Sequence, residues 1–287
     1  MAMKRRQLLL SAGAAIVGLS SFPLRWTAAA DGKKQKVLYF TRSAGFEHDA
    51  VKRKGQQLGF GERALIEMGK RAGFEVECTK DGKVFDGDLS QYDLIAFYTS
   101  GDLTKPCNQP GDPMSVEGKK KLLEAIAAGK PFVGFHSATD SFRGPGVDPY
   151  IAMIGGEFVS HGPQQVAKVT VASPKFPGIG KYDSLSLMEE WYALAKFAKD
   201  LHVILIQETE GMKGNEYQRP PFPATWARMH GKGRVFYTSF GHREDIWQNE
   251  QVQQIILGGM AWAMGNVDAD VTPNIDKVTP KANQLKH

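Results

Sequence analysis

Three histidines stand just after runs that read as buried strands. In "KVLYFTRSAGFEHD" (36–49), Arg42, Glu47, His48 and Asp49 follow the apolar run. In "PFVGFHSATDSFRG" (131–144), His136, Ser137, Asp140 and Arg143 follow it. In "GRVFYTSFGHRED" (233–245), the followers are His242, Arg243, Glu244 and Asp245. A fourth run, "YDLIAFYTSGD" (92–102), ends in Thr99, Ser100 and Asp102. Imidazole titrates nearest neutrality and is the commonest metal ligand. A rim built from these four ends would suit proton transfer or the binding of a divalent metal, zinc or similar. His48, His136 and His242 are the candidates to share it. His202 lies inside an apolar run, His287 is the last residue and His230 sits in a turn, so each has a bland explanation. His161, in "GGEFVSHGPQQ", could reach the rim or lie on the surface.

Two further stretches bear on the chemistry. "GFHSA" (134–138) has the outline of a strand-to-helix elbow, at whose apex hydrolases carry a serine or cysteine. Here the apex is His136, which can act as a general base or a metal ligand. Ser137 is one position off, so a serine hydrolase with His242 as base and Asp245 or Asp140 as orienter is the weaker alternative. "MEEWYAL" (188–194) sets Glu189 and Glu190 before Trp191 and Tyr192. Acids beside aromatic rings suit a sugar site, since rings stack on the apolar sugar face and acids accept hydroxyl protons. The competing expectation is an ordinary half-buried strand with Glu189 and Trp191 outward. A carbohydrate-binding protein without catalysis would use the same rim, with Trp191, Tyr192 and Trp247 as platforms.

The elements that would position these residues alternate strand and helix. Strands are expected at Lys36–Phe40, Phe74–Thr79, Tyr92–Thr99 and Pro131–His136, with helices at about Gln56–Ala72 and Val116–Ala128 between them. Gly73 and Gly129 are the helix stops. This alternation predicts a mostly parallel sheet with helices on both faces, whose ligands bind beyond the carboxyl ends of the strands. The second half predicts an antiparallel extension: strands at Gln164–Ala172, Leu201–Gln207, Pro223–Met229 and Gly233–Phe240, with His230–Gly233 as a hairpin turn. A last helix is expected at about Asn249–Met264, capped by Asn249 and stopped by Gly265.

Residues 1–30 have a charged start, an apolar middle and an Ala28-Ala29-Ala30 end, the layout of a cleaved secretory signal. Arg5-Arg6 adds a Tat character and implies a periplasmic or otherwise exported protein. The apolar run is too short for a stable membrane span. Removing these thirty of 287 residues leaves 257 and takes away four cations and no acid, so the formal charge falls from +5 to +1. The basic pI therefore gives no argument for nucleic-acid binding. Residues 31–265 read as one domain and 266–287 as a tail, an extended strap or a frayed end. Cys78 and Cys107 could pair in an exported protein, though nothing in the sequence brings them together. Neither stands where a glutaminase nucleophile would.

The segments "TRSAGFEHDAV", "VGFHSATDSFRG", "YIAMIGGEFVSHGP", "MEEWYAL" and "HGKGRVFYTSFGHREDIWQNEQVQQIILGGMAWAMG", in this order, resemble those of ThuA-like (trehalose utilisation) proteins over about 36–265. The resemblance implies a flavodoxin-like fold of the class I glutamine amidotransferase type without the catalytic cysteine. It implies a role in sugar catabolism, beside oxidoreductases that make 3-keto sugars, with a small carbohydrate as ligand. It also implies a metal set, at the positions His48, His136, His161, Glu190 and His242. In a keto-sugar or keto-glycoside, the carbonyl acidifies the neighbouring C–H. His136 or His48 would remove that proton, Arg143 or a metal would stabilise the oxyanion, and Ser137, Asp140, Glu189, Trp191, Tyr192 and Arg243 would hold the sugar.

Overall fold

The computed structural model describes residues 34–285. The expected signal segment, residues 1–30, and His287 lie outside them. β1 (Lys36–Phe40) leads to α1 (Phe60–Ala72), β2 (Glu75–Thr79), β3 (Leu94–Phe97), α2 (Val116–Ala128) and β4 (Phe132–Phe135). Then come α3 (Pro149–Ile154), β5 (Glu157–His161), β6 (Gln165–Val171), β7 (Ser184–Glu189), β8 (Tyr192–Ala195) and β9 (His202–Gln207). The chain closes with β10 (Phe222–His230), β11 (Gly233–Thr238), α4 (Glu244–Gln248), α5 (Glu250–Ala263) and α6 (Ile275–Val278).

One nine-stranded sheet runs β2-β1-β3-β4-β11-β10-β9-β6-β7, and β5 pairs with β8 in a separate two-stranded sheet. The first five are parallel neighbours. Their order is the flavodoxin-like 2-1-3-4-5, with the switch point at β1 and β3. From β11 onward the pairing is antiparallel, which forms the extension. The β10–β11 hairpin turns at Gly231 and Lys232, with His230 paired to Gly233.

The parallel strands are apolar on both faces because helices cover both. On β1, Val37 and Tyr39 join the core under α1 and α5, while Leu38 and Phe40 join the core under α2 and α3. Leu65 and Met68 of α1, and Val252, Ile255 and Ile256 of α5, are buried. Each such side chain contributes about 1.5–3 kcal/mol. A Cβ on Gly259 would lie 2.5 Å from the Phe236 ring, so only glycine lets α5 approach β11 this closely.

Three expectations need correction. The first helix begins at Phe60, not Gln56, because the buried Glu62 carboxylate accepts the Gly59 N–H (2.9 Å) and fixes the start there. "MEEWYAL" is not one strand: β7 ends at Glu189, and β8 begins at Tyr192 in the other sheet. Glu189 and Trp191 point inward, each 0% exposed, rather than outward. The tail is the strap of the two expected alternatives, with the short α6 where an extended chain was expected: Asn274 Oδ1 accepts the Val203 N–H (2.6 Å), Asn283 Oδ1 accepts the Phe197 N–H (2.8 Å), and Ile275 is buried. Cys78 and Cys107 are free thiols.

Candidate metal centre and cavity

The carboxyl ends of β1, β4 and β11 deliver three histidines to one place at the switch point. His48 comes from the turn after β1 and is 2% exposed. His136 directly follows β4, is fully buried, and has φ 40°, a left-handed conformation in a residue with a Cβ. Such a backbone costs about 1–3 kcal/mol and persists only where its surroundings hold it. Here the His136 carbonyl accepts Tyr237 OH (2.7 Å), and its Nδ1 lies 2.8 Å from the Ser239 carbonyl. His242 follows β11 and Gly241, whose φ of 132° suits glycine. Gln164, held through Oε1 by Arg243 Nη1 (2.8 Å), places its Nε2 2.9 Å from His242 Nε2.

Glu190 sits in the break between β7 and β8, at the centre of these rings. Its Oε2 lies 3.0 Å from His242 Nδ1, 3.4 Å from His136 Nε2 and 3.7 Å from His48 Nε2. Its Oε1 lies 3.4 Å from His161 Nδ1. One donor atom from each of His48, His136, Glu190 and His242 falls within 4.8 Å of all the others. Zinc with bonds of 2.0–2.1 Å spaces its tetrahedral ligand atoms by about 3.3 Å, so this donor set fits a divalent cation.

At His136, hydrogen bonding and charge agree with that fit. His136 Nδ1 faces a carbonyl, so it carries the proton, and the buried Nε2 turns a lone pair to the cluster with no hydrogen-bond partner. Burial, resisted in part by Glu190, pushes His136 down to about 3. Burial also lowers His48. Burial would lower His242 as well, but the Glu190 carboxylate raises it. Burial favours protonating Glu190, yet the facing imidazoles of His136, His242 and His48 hold it far below the usual range. The cluster is thus a carboxylate among imidazoles kept neutral at two of three positions, a pocket with a charge to neutralise.

Beside the cluster opens a cavity of about 470 Å³, lined by His48, Glu190, Tyr192, His161, Asp140, Arg143, Phe158, Phe46 and Asp102. Arg143 is ion-paired with Asp140 and lies over the Phe158 ring at 4.9 Å. Burial, opposed by Arg143, pushes Asp140 up to about 6. Tyr192 OH is 3.0 Å from His48 Nε2, and its ring lies 4.1 Å from that of His136. His161 is half exposed at the mouth, and Phe46 is 68% exposed there, its ring perpendicular to that of His48.

Several expected site residues lie elsewhere. Ser137 is 1% exposed and its Oγ has no partner, so no nucleophile stands at the elbow apex. Asp245 pairs with Arg243 rather than His242, so it does not orient that imidazole. Arg243 borders a separate hollow with Gln164 and Asp49. Trp191 is buried and donates to the Gln165 carbonyl (2.8 Å); Trp247 is buried and donates to the Gly241 carbonyl (2.7 Å). Neither ring is free to stack on a ligand. Glu189 is buried behind the cluster, pushed up to about 7 by burial against the two backbone N–H groups it accepts. Gln164, Phe46 and Phe158 were not expected at the site. Phe46 had one signal, its place within "SAGFEHD" two residues before His48.

A family model described as trehalose utilisation (ThuA) matches residues 36–263. Among solved structures, a ThuA-like protein from Bacteroides uniformis ATCC 8492 superposes with a TM-score of 0.60 at 18% identity, covering 80% of this chain and 91% of that one. A ThuA-like protein from Parabacteroides merdae ATCC 43184 gives 0.59 at 17% identity, covering 83% and 92%. At these identities the two structures speak for the fold. A comparison with curated proteins finds no match.

Proposed function

The chain belongs to the trehalose utilisation (ThuA) family, and from that premise we propose that it is a carbohydrate-active enzyme of sugar catabolism that acts on keto-sugars or keto-glycosides. His48, His136, His242 and Glu190 would hold a divalent cation. The observation that carries this reading is the convergence of three histidines and a carboxylate on one point, at the wall of a cavity large enough for a sugar. A cation in such a donor set polarises a carbonyl oxygen as a Lewis acid.

The chain's own residues divide the remaining work. Phe46 offers an apolar face to a sugar ring, and Asp102 accepts hydroxyl protons. Arg143, whose Nε holds Asp140, has further N–H groups to set against an oxygen that gains negative charge. The position of His136 favours the ligand role over that of a base, because its Nδ1 is held by Ser239 and its Nε2 faces Glu190. Asp140, with a pKa raised to about 6, suits the removal of the acidified C–H proton next to the keto group. Breaking the C–O bond at the adjacent carbon would complete an elimination, the departing glycosidic oxygen taking up the proton that Asp140 had removed. An oxidoreductase would have to supply the keto group, and the Arg5-Arg6 leader supports action after export by the Tat route. Among the described residues no helix is long and apolar enough to cross a membrane.

The test is proton NMR of a 3-keto-disaccharide incubated with the protein. The expected result is loss of the glycosidic anomeric signal, blocked by a chelator and restored by added metal. Line broadening without new signals would replace this reading with a binding function, and an unchanged spectrum would remove the keto-glycoside assignment.

A further inference from the structure

We propose that Glu189 is a positioning residue for the cation cluster, and that its carboxylate fixes the two turns that carry Glu190 and His242. This rests on the cation binding proposed above. Glu189 is 0% exposed. Its Oε1 accepts the N–H of Glu190 (2.7 Å), and its Oε2 accepts the N–H of Gly241 (3.0 Å), the residue before His242. The two N–H groups come from turns that follow different strands, β7 and β11. Gly241 is held from its other side too, since its carbonyl accepts Trp247 Nε1 (2.7 Å) and Tyr98 OH (3.3 Å). With Glu189 in place, the backbone positions of two cluster donors are set relative to each other through one rigid side chain.

The position alternates inward with Leu187 and Leu185 along β7, and an apolar residue here would leave the buried N–H groups of Glu190 and Gly241 without an acceptor. What the carboxylate adds is a pair of acceptors at fixed spacing, one for each ligand-bearing turn. Groups that orient metal ligands from behind are typically worth 10–100-fold in metal affinity.

The experiment is titration of the metal-free protein with cobalt(II), read by calorimetry and by the visible d–d absorption. Glu189→Gln keeps the side-chain length and one acceptor but turns an amide NH2 toward the second N–H. It is expected to weaken cobalt binding about 10–100-fold and to change the absorption band. Glu189→Ala removes both acceptors and is expected to weaken it further. Ser173→Ala, which loses a buried hydrogen bond to the Val203 carbonyl (2.7 Å) far from the cluster, controls for general destabilisation and should keep wild-type affinity. Wild-type affinity and an unchanged band in a folded Glu189→Gln protein would overturn the proposal. So would an equal loss in Ser173→Ala. If the wild type itself takes up no cobalt, the cation reading falls first and Glu189 loses this role with it.

Discussion

Asp140 makes the stability of the protein depend on pH in a direction opposite to most carboxylates. The side chain is only 10% exposed, and burial lifts its pKa to about 6 from an ordinary 3.8. Between those values the folded protein keeps a proton that the unfolded chain has released. The contribution to stability is therefore full below about pH 4 and is lost as the pH rises through about 6. At 1.36 kcal/mol for each tenfold difference in acidity, the loss by neutral pH is about 3 kcal/mol. Asp140→Asn removes the titration while keeping the shape. The measurement is thermal unfolding of wild type and variant, both metal-free, from pH 4 to pH 7.5. For a chain of this length 1 kcal/mol moves Tm by about 2–4 °C. The gap between the two proteins should thus shift by about 6–12 °C across that range, with the wild type losing ground as pH rises. Parallel curves would refute the argument and mean that Arg143 fully compensates the buried charge.

Three other outcomes follow from the same geometry. Adding zinc to the metal-free protein at about a hundred times its Kd should stabilise it by about 2.7 kcal/mol, seen as a higher Tm that His136→Ala abolishes. Phe46→Ala should leave stability within about 0.5 kcal/mol, because the ring is 68% exposed, yet raise KM for a sugar substrate; an unchanged KM would remove Phe46 from the binding surface. Gly259→Ala should destabilise by about 1–3 kcal/mol in urea unfolding, because the new methyl meets the Phe236 ring at 2.5 Å.

The parallel half was legible because its signals are local. Val116–Ala128, with Gly129 as its stop, matches α2, and the structure adds Ser115 as its N-cap. His48, His136 and His242 could be placed at one rim because each follows a strand of a parallel sheet, and such strands end on the same side. Glu190 was reached as a metal ligand only through family resemblance. Its role depends on β7 and β8 belonging to different sheets, while "MEEWYAL" alternates like a single strand. The same break sends Glu189 and Trp191 inward, so their expected contact with a sugar did not survive. Glu189 binds a backbone group 52 residues away, and no pattern of side chains announces that. The helix start failed for a local reason of another kind: Glu62 selects Gly59 as the cap, and helical periodicity upstream of it has no say.

The four donors come from positions 48, 136, 190 and 242, spread across most of the chain, and the acid is borne by the antiparallel extension rather than by the flavodoxin-like half. A fragment or chimaera that carries only the parallel strands would inherit three imidazoles with no counter-charge. Contacts of such long sequence separation also form late, after the loops between them have closed. Metal uptake followed during refolding would therefore report when all four segments have come together.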